Sequence, residues 1–184
     1  MNINRQEDAS EFLIKLIYHF AQNYPPLAHV FTSQLRSTLT CNDCSRCNEQ
    51  QHPLNILSLH FPSANNEHSL ISISPTHDLP VLLDNFLRAE IAPHFICPSC
   101  NSRSNTLKKL DIVNPSRTIV LHLVRFKGLE KIQDSVRFPL QLGLTHVRLG
   151  SEQKMSYLLK GVIVHVGESI ASGHYYAYVY TQDK

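Results

Sequence analysis

Thr40-Cys41-Asn42-Asp43-Cys44 is the stretch that constrains the fold most, because its Cys-x-x-Cys pair recurs downstream as Cys97-Pro98-Ser99-Cys100. Two such pairs supply four thiolates, which is the number that a tetrahedral zinc ion takes. For one ion to bind all four, the long intervening segment must return the second pair to the first. The two pairs therefore predict a metal site that joins distant parts of the chain.

Other interpretations of the cysteines stay open on the residues alone. The four can be buried, reduced thiols, and Cys47 forms a rival pair with Cys44. A redox pair is disfavoured because neither Cys-x-x-Cys is followed directly by a clear helix. Cys47 is also a poor candidate for a nucleophile, since it lies in a polar stretch and the sequence identifies no base near it.

An apolar stripe of helical period precedes the first cysteine pair. Its members recur at spacings of three and four residues: Ala9, Phe12, Leu13, Leu16, Ile17, Phe20 and Ala21. Asp8 is placed to cap this helix, with Glu11 three residues on as in a capping box, and Tyr24-Pro25-Pro26 ends it. A second helix is predicted over Leu79 to Glu90, with Asp78 as its cap.

The rest of the chain has strand patterns separated by turn residues. The predicted strands are 54–61, a central strand over 117–126, and a hairpin formed by 157–166 and 174–180 with the loop 167–173. Residues 63–77 are rich in Ser, Asn and His and predict a loop. The predicted order is helices early in the chain, cysteine pairs in the middle and antiparallel strands at the end. This order is typical of an α+β fold.

His174 is the candidate general base. It directly follows Gly173 at the mouth of a predicted strand, and glycine permits the close backbone approach that such a base needs. The alternative is a cross-strand histidine packed against tyrosines, and with 11 histidines in the chain a single one is weak support. His165 is interpreted as an inward-facing strand residue.

The composition limits the classes of protein to which this chain can belong. The 184 residues are 42% hydrophobic and 17% charged, which is typical of one globular domain. The net charge of +2 is too small to indicate a nucleic-acid or membrane surface, which disfavours a zinc-ribbon nucleic-acid binder. There is no apolar run of roughly 20 residues and no signal-peptide pattern at Met1. We expect an intracellular protein of the cytoplasm or nucleus, with no membrane partner.

Five motifs in order resemble the ubiquitin-specific protease family, and they run from near the first residue to near the last. They are 6–13, 31–44, 83–90 followed by 97–100, 119–126 followed by Lys131 and 136–139, and 164–167 followed by 173–175. The resemblance implies a papain-like right-hand fold with a thumb helix over 1–30, fingers over 31–116 and a palm with antiparallel strands over 117–184. It implies a structural zinc ion held by the fingers through Cys41, Cys44, Cys97 and Cys100, which leaves Cys47 out.

The resemblance also implies a reaction, the hydrolysis of the isopeptide or peptide bond after the last glycine of ubiquitin. Acyl transfer would pass through a thioester, with His174 as the general base. Asp8 and Glu11 match positions that face the arginine-containing tail of ubiquitin, and their capping role needs no ubiquitin. The expected partners are ubiquitin and ubiquitinated proteins.

The sequence departs from the family at two places. The cysteine box Gly-Asn-Thr-Cys-Tyr is absent, and so is the tryptophan-containing segment that carries the third catalytic residue, since the chain has no tryptophan. We therefore expect these residues to lack the nucleophile. The favoured explanation is a fragment of an active enzyme; a natural short form and completion by a separate chain are the others. The alternative function is a catalytically inactive ubiquitin-binding or scaffold module.

Overall fold

The computed structural model describes residues 8–62, 75–103, 106–148, 150–169 and 172–181. The motif residues Gln6 and Glu7, and most of the loop predicted over 63–77, lie outside these ranges. The described helices are α1 (Ala9–Asn23), α2 (Pro25–Phe31) and α3 (Leu79–Leu87). None of these helices is long and apolar enough to cross a membrane.

The described strands are short and numerous. In chain order they are β1 (Ser33–Cys41), β2 (Cys47–Leu54), β3 (Ile56–His60), β4 (Thr76–Asp78), β5 (Glu90–Ile91), β6 (Thr106–Asn114), β7 (Val120–Val124), β8 (Phe126–Lys127), β9 (Glu130–Lys131), β10 (Ser135–Arg137), β11 (Gln141–Arg148), β12 (Ser151–Leu158), β13 (Gly161–Ser169) and β14 (Ser172–Val179).

The first helix forms as the apolar stripe predicts. The Asp8 carboxylate accepts hydrogen bonds from the backbone amides of Ser10 at 2.8 Å and Glu11 at 3.0 Å, and α1 ends at Asn23. A proline fits the first turn of a helix because its missing N–H would be unpaired there, so α2 starts at once at Pro25. Sequence analysis missed α2, which is only 7 residues long.

The largest sheet has four strands in the order β2-β1-β6-β5, and all its pairings are antiparallel. β1 and β2 form a hairpin whose turn carries the first cysteine pair. The end of β1 lies beside the start of β6, where Cys41 is opposite Thr106. This pairing returns the second cysteine pair, which precedes β6, to the first.

The hydrophobic core lies between α3 and strands β1, β3, β6 and β11. Its buried members are Leu35, Leu57, Leu59, Leu82, Leu83, Ile112 and Leu144. β3 pairs with β7, and β4 pairs with β10, and both of these pairs are parallel. The remaining pairs are antiparallel: β8 with β9, β11 with β12, and β13 with β14.

Several predicted boundaries were wrong. The strand predicted over 54–61 is interrupted at Asn55, because β2 ends at Leu54 and β3 begins at Ile56. The central strand predicted over 117–126 is observed as the shorter β7, whose residues are only half-buried. The strand predicted over 157–166 is split between β12 and β13. β13 and β14 also extend into the loop predicted over 167–173.

The second predicted helix ends at Leu87 rather than Glu90. Asp78 occupies its N-cap position without a side-chain cap hydrogen bond. Its carboxylate instead accepts two hydrogen bonds from the Arg137 guanidinium, at 2.9 and 3.1 Å. A bidentate arginine pair competes successfully with capping because both of its hydrogen bonds are charge-assisted.

Candidate functional site

Two turns with the same hydrogen-bond pattern carry the cysteine pairs. In the first, the Ser45 amide donates to the Cys41 carbonyl at 2.8 Å, and the Cys41 amide donates to the Arg46 carbonyl at 2.9 Å. In the second, Asn101 and Ser102 occupy the places of Ser45 and Arg46 around Cys97, with both hydrogen bonds at 2.9 Å.

Each turn bends through one residue in the left-handed region. Ser45 and Asn101 both have φ of 57°, a conformation in which an L-residue is uncommon. The repeat of hydrogen bonds and backbone angles means that the two cysteine pairs are presented in the same way. The sequence spacing of each pair is therefore matched by a common local structure.

The four cysteines of the two pairs converge. The Sγ atoms of Cys41 and Cys100 lie 3.7 Å apart, as do those of Cys44 and Cys97, and all four Sγ atoms lie within 4.8 Å of one another. Tetrahedral zinc with Zn–S bonds of about 2.3 Å separates its sulfurs by about 3.8 Å. The residues present fit a tetrathiolate metal site.

The pKa values of these thiols depend on one another because the sulfurs lie so close together. Hydrogen bonds from the amides of Ser99 and Cys100 lower the pKa of Cys97 to about 6. For Cys100 the Ser102 amide acts in the same direction, but desolvation and the neighbouring sulfurs outweigh it and raise the pKa to about 12. Four adjacent thiolates repel one another, so a bound cation is what allows all four to ionise together.

Cys47 lies outside this cluster. It opens β2, its side chain is exposed, and its sulfur lies 3.4 Å from the Thr40 hydroxyl oxygen. The described geometry thus favours Cys41 with Cys44 as the first pair over Cys44 with Cys47. All five cysteines belong to the four-stranded sheet or to the turns at its end.

His174 lies elsewhere, on the ribbon formed by β13 and β14. It is opposite Val166 and its side chain is exposed. The register of the ribbon shifts between Val166 and Ser169, so the strand pairing is irregular just beside His174. An exposed imidazole beside such an irregularity is accessible to a substrate.

Two glycines permit the close approach of the strands beside His174. A Cβ atom added to Gly173 would lie 2.5 Å from the Val166 carbonyl oxygen and would overlap the His165 ring. A Cβ atom on Gly167 would lie 3.0 Å from the Cα atom of Gly173. The close neighbours of Gly173 are thus the His165 ring and the Val166 carbonyl, and a close approach of substrate at this glycine stays a prediction.

The Lys131 side chain contacts β13 in the ribbon formed by β13 and β14. Its Nζ atom donates to the carbonyl oxygens of Gly167 at 2.6 Å and His165 at 2.9 Å, and lies 3.3 Å from His165 Nδ1. The His165 ring lies between Phe126 and Tyr175, with ring centroids at 5.9 and 4.9 Å. Sequence analysis noted Lys131 only as a match to the family pattern and assigned it no role.

The two residues predicted to face the ubiquitin tail lie at the start of α1. Desolvation acts to raise the pKa of the Asp8 carboxyl, but hydrogen bonds from the Ser10 hydroxyl and the amides of Glu11 and Ser10 outweigh it and lower the pKa below its usual value. Glu11 forms an ion pair with Lys15 at 2.6 Å. The capping role of Asp8 is confirmed, and their role toward ubiquitin stays a prediction.

Comparison with known proteins defines the class. The sequence model of the family described as "Ubiquitin carboxyl-terminal hydrolase" matches residues 1–184. Ubiquitin carboxyl-terminal hydrolase 23 of Arabidopsis thaliana is 30% identical over 96% of this chain and 22% of its own length. Ubiquitin carboxyl-terminal hydrolase 48 of Danio rerio is 28% identical over 97% of this chain and 18% of its own length. The chain belongs to the ubiquitin carboxyl-terminal hydrolase family.

Solved structures agree with this assignment. The SAGA Ubp8/Sgf11/Sus1/Sgf73 DUB module bound to ubiquitin aldehyde contains a chain with a TM-score of 0.75 and 25% identity. The match covers 95% of this chain and 42% of that one. The predicted right-hand fold is thereby confirmed. This chain spans less than half of the Ubp8 structure and less than a quarter of the curated relatives.

Proposed function

We propose that this chain is part of a cysteine-type deubiquitinase, which hydrolyses the isopeptide or peptide bond after the C-terminal glycine of ubiquitin. The observation that carries the proposal is the match of 95% of the chain to a structure captured with ubiquitin aldehyde. Ubiquitin and ubiquitinated proteins are the partners that follow. The proposal extends to the protein that contains these residues, since they correspond to only part of each relative.

His174 is the general base in this proposal. Its imidazole takes the proton of a cysteine thiol, and the thiolate attacks the carbonyl carbon of the scissile bond. The imidazolium returns the proton to the leaving amine as the thioester forms. Water, deprotonated by the same imidazole, then hydrolyses the thioester and regenerates the thiol.

The nucleophile comes from a segment outside these residues. Four of the five cysteines form the compact cluster, and Cys47 lies on β2 rather than on the His174 ribbon. A thiolate that coordinates a structural metal ion cannot act as the nucleophile of this reaction. The placement of the cysteines also supports the alternative function, a ubiquitin-binding module without catalysis.

The cysteine cluster has a structural role in this proposal. Cys41, Cys44, Cys97 and Cys100 would hold one zinc ion, which supplies a cross-link and no catalytic chemistry. Because the four thiolates would supply all the ligands that a structural zinc ion takes, this site would not activate water. The two turns would thereby be fixed to each other at the end of the four-stranded sheet.

The start of α1 would face the C-terminal tail of ubiquitin. The Asp8 carboxylate is negatively charged near neutral pH, as an aspartate with an ordinary or lowered pKa is, and it would attract an arginine side chain. Glu11 adds a second carboxylate one helical turn away, although Lys15 already neutralises part of its charge.

A ubiquitin probe with a thiol-trapping electrophile at its C-terminus tests these proposals on the purified 184-residue chain. Capture by immobilised unmodified ubiquitin runs in parallel. Binding without a covalent adduct supports a ubiquitin-binding unit whose nucleophile lies elsewhere. An adduct would mean that one of the five cysteines is a working nucleophile, against this account. Neither binding nor adduct would mean that ubiquitin recognition needs further parts of the domain.

A further inference from the structure

The Lys131 side chain uses its full donor capacity at the end of β13. An ammonium group has three N–H donors and no acceptor. Its three neighbours are the carbonyl oxygens of Gly167 and His165, at 2.6 and 2.9 Å, and His165 Nδ1, at 3.3 Å. Each donor therefore has one acceptor, and the two carbonyls flank Val166, the residue opposite His174.

This arrangement bears on the tautomer of the neutral His165 ring. Nδ1 can accept a hydrogen bond from an ammonium group only if it carries no proton, so the proton of the neutral ring is on Nε2. The ring is also held between the Phe126 and Tyr175 rings. With Nδ1 occupied and Nε2 protonated, His165 cannot serve as the base.

The His165 ring in turn supports the first residues of β14. Gly173 lies so close to the ring that a Cβ atom there would overlap Nε2. Successive strand residues point to opposite faces, so Gly173 and Tyr175 meet the His165 face and His174 points away from it. The ring is therefore the support behind the backbone from which His174 projects.

The backbone at Lys131 is held in place within the β8–β9 ribbon. It lies in β9 opposite Phe126. The Arg125 guanidinium donates to the carbonyl oxygens of Ile132 at 3.1 Å and Asp134 at 2.8 Å, and the Ile132 amide donates to the Arg125 carbonyl at 2.6 Å. The backbone at Lys131 thus belongs to a segment that these hydrogen bonds hold in place. Its side chain extends from that segment to β13.

We propose that Lys131 is a positioning residue for the general base: it holds His165 as the Nε2-protonated tautomer, and through the His165 ring and Gly173 it sets the position of His174. The assignment of a base to be positioned rests on the proposed deubiquitinase function. The tautomer of His165 does not rest on it and can be measured on the 184-residue chain alone.

The first test is long-range ¹H–¹⁵N NMR of the chain labelled with ¹⁵N-histidine. The His165 signals are assigned by their loss in His165→Gln. We expect His165 to carry its proton on Nε2 at neutral pH, and Lys131→Met to shift it toward a mixture of tautomers. The control Lys127→Met, an exposed lysine of the same ribbon, leaves the His165 signals unchanged. A proton on Nδ1 in the unsubstituted chain, or an unchanged tautomer in Lys131→Met, would overturn the proposal.

The second test is hydrolysis of a ubiquitin C-terminal amide by the longer polypeptide that supplies the nucleophile. Misplacement of a catalytic group by about 1 Å costs on the order of 10²-fold, so Lys131→Met lowers kcat by about that factor with little change in KM. Lys131→Arg, which still donates to both carbonyls, recovers most of the loss, and Lys127→Met behaves like the unsubstituted enzyme. An unchanged kcat in Lys131→Met contradicts the positioning role. Absence of turnover in the unsubstituted enzyme refutes the proposed function instead and leaves the NMR result standing.

Discussion

The Sγ atoms of Cys44 and Cys97 lie 3.7 Å apart, which joins the turn after β1 to the turn before β6. The antiparallel pairing of these two strands brings the turns to the same end of one sheet. The sheet therefore places the cysteines, and a bound ion would in turn lock the end of the sheet. Folding and metal binding are coupled in such an arrangement.

Cys97→Ser is predicted to lose the metal. Structural zinc sites contribute on the order of 10 kcal/mol of apparent binding free energy, so its loss should abolish the cooperative unfolding of the four-stranded sheet. Metal content by mass spectrometry and thermal unfolding by circular dichroism measure both effects. Cys47→Ser is the matched control and should keep metal and Tm. Equal melting of the original protein with and without a strong chelator would argue against bound zinc.

Asp8→Ala is predicted to destabilise α1 by about 1 kcal/mol at neutral pH, because it removes the N-cap. The folded state lowers the pKa of the Asp8 carboxyl below its usual value, so the charged carboxylate stabilises the fold at any pH above that usual value. The contribution is lost as the pH falls through the folded pKa. Chemical unfolding as a function of pH should therefore show the mutational cost shrinking in acid.

Asp8→Asn separates capping from ubiquitin recognition. Asparagine caps helices about as well as aspartate, but it has no charge. We expect this variant to unfold like the original protein and to bind ubiquitin more weakly, as measured by titration calorimetry. Unchanged affinity would remove Asp8 from tail recognition and leave only its capping role.

Gly173→Ala is predicted to destabilise the β13–β14 ribbon. The added methyl group would meet the Val166 carbonyl and the His165 ring, and such overpacking costs about 1 to 3 kcal/mol. Gly143→Ala on β11 is the control, since a Cβ atom there has no neighbour within 4 Å. Hydrogen exchange of the ribbon amides reports the difference. Equal protection in the two variants would refute the close approach.

Much of the fold was predictable because its local signals are strong. The period of the apolar residues identified α1, and Asp8 and Pro25 marked its ends. The two cysteine pairs predicted their own convergence, since zinc chemistry needs four ligands. Secondary structure that depends on tertiary pairing was harder, as with β3 and β7, whose parallel register follows from long-range contacts.

The candidate site was predictable only in part. Motifs indicated His174 as the candidate base, but no periodicity or spacing indicates that Lys131 contacts two carbonyls on β13. That contact exists because the β8–β9 ribbon lies beside β13, a tertiary relationship. The side-chain cap predicted for α3 at Asp78 does not form for a similar reason, since Arg137 on the adjacent β10 provides a stronger partner for its carboxylate.

The most direct test of the central claim is cleavage of a ubiquitin C-terminal amide by a full-length form of the proposed deubiquitinase that carries His174→Ala. Removal of a general base costs about 10²- to 10⁴-fold in rate, so turnover should fall at least that far while ubiquitin affinity stays the same. His94→Ala, at an exposed histidine between β5 and β6, should keep full turnover. Undiminished turnover in His174→Ala would contradict the assignment of His174 as the base.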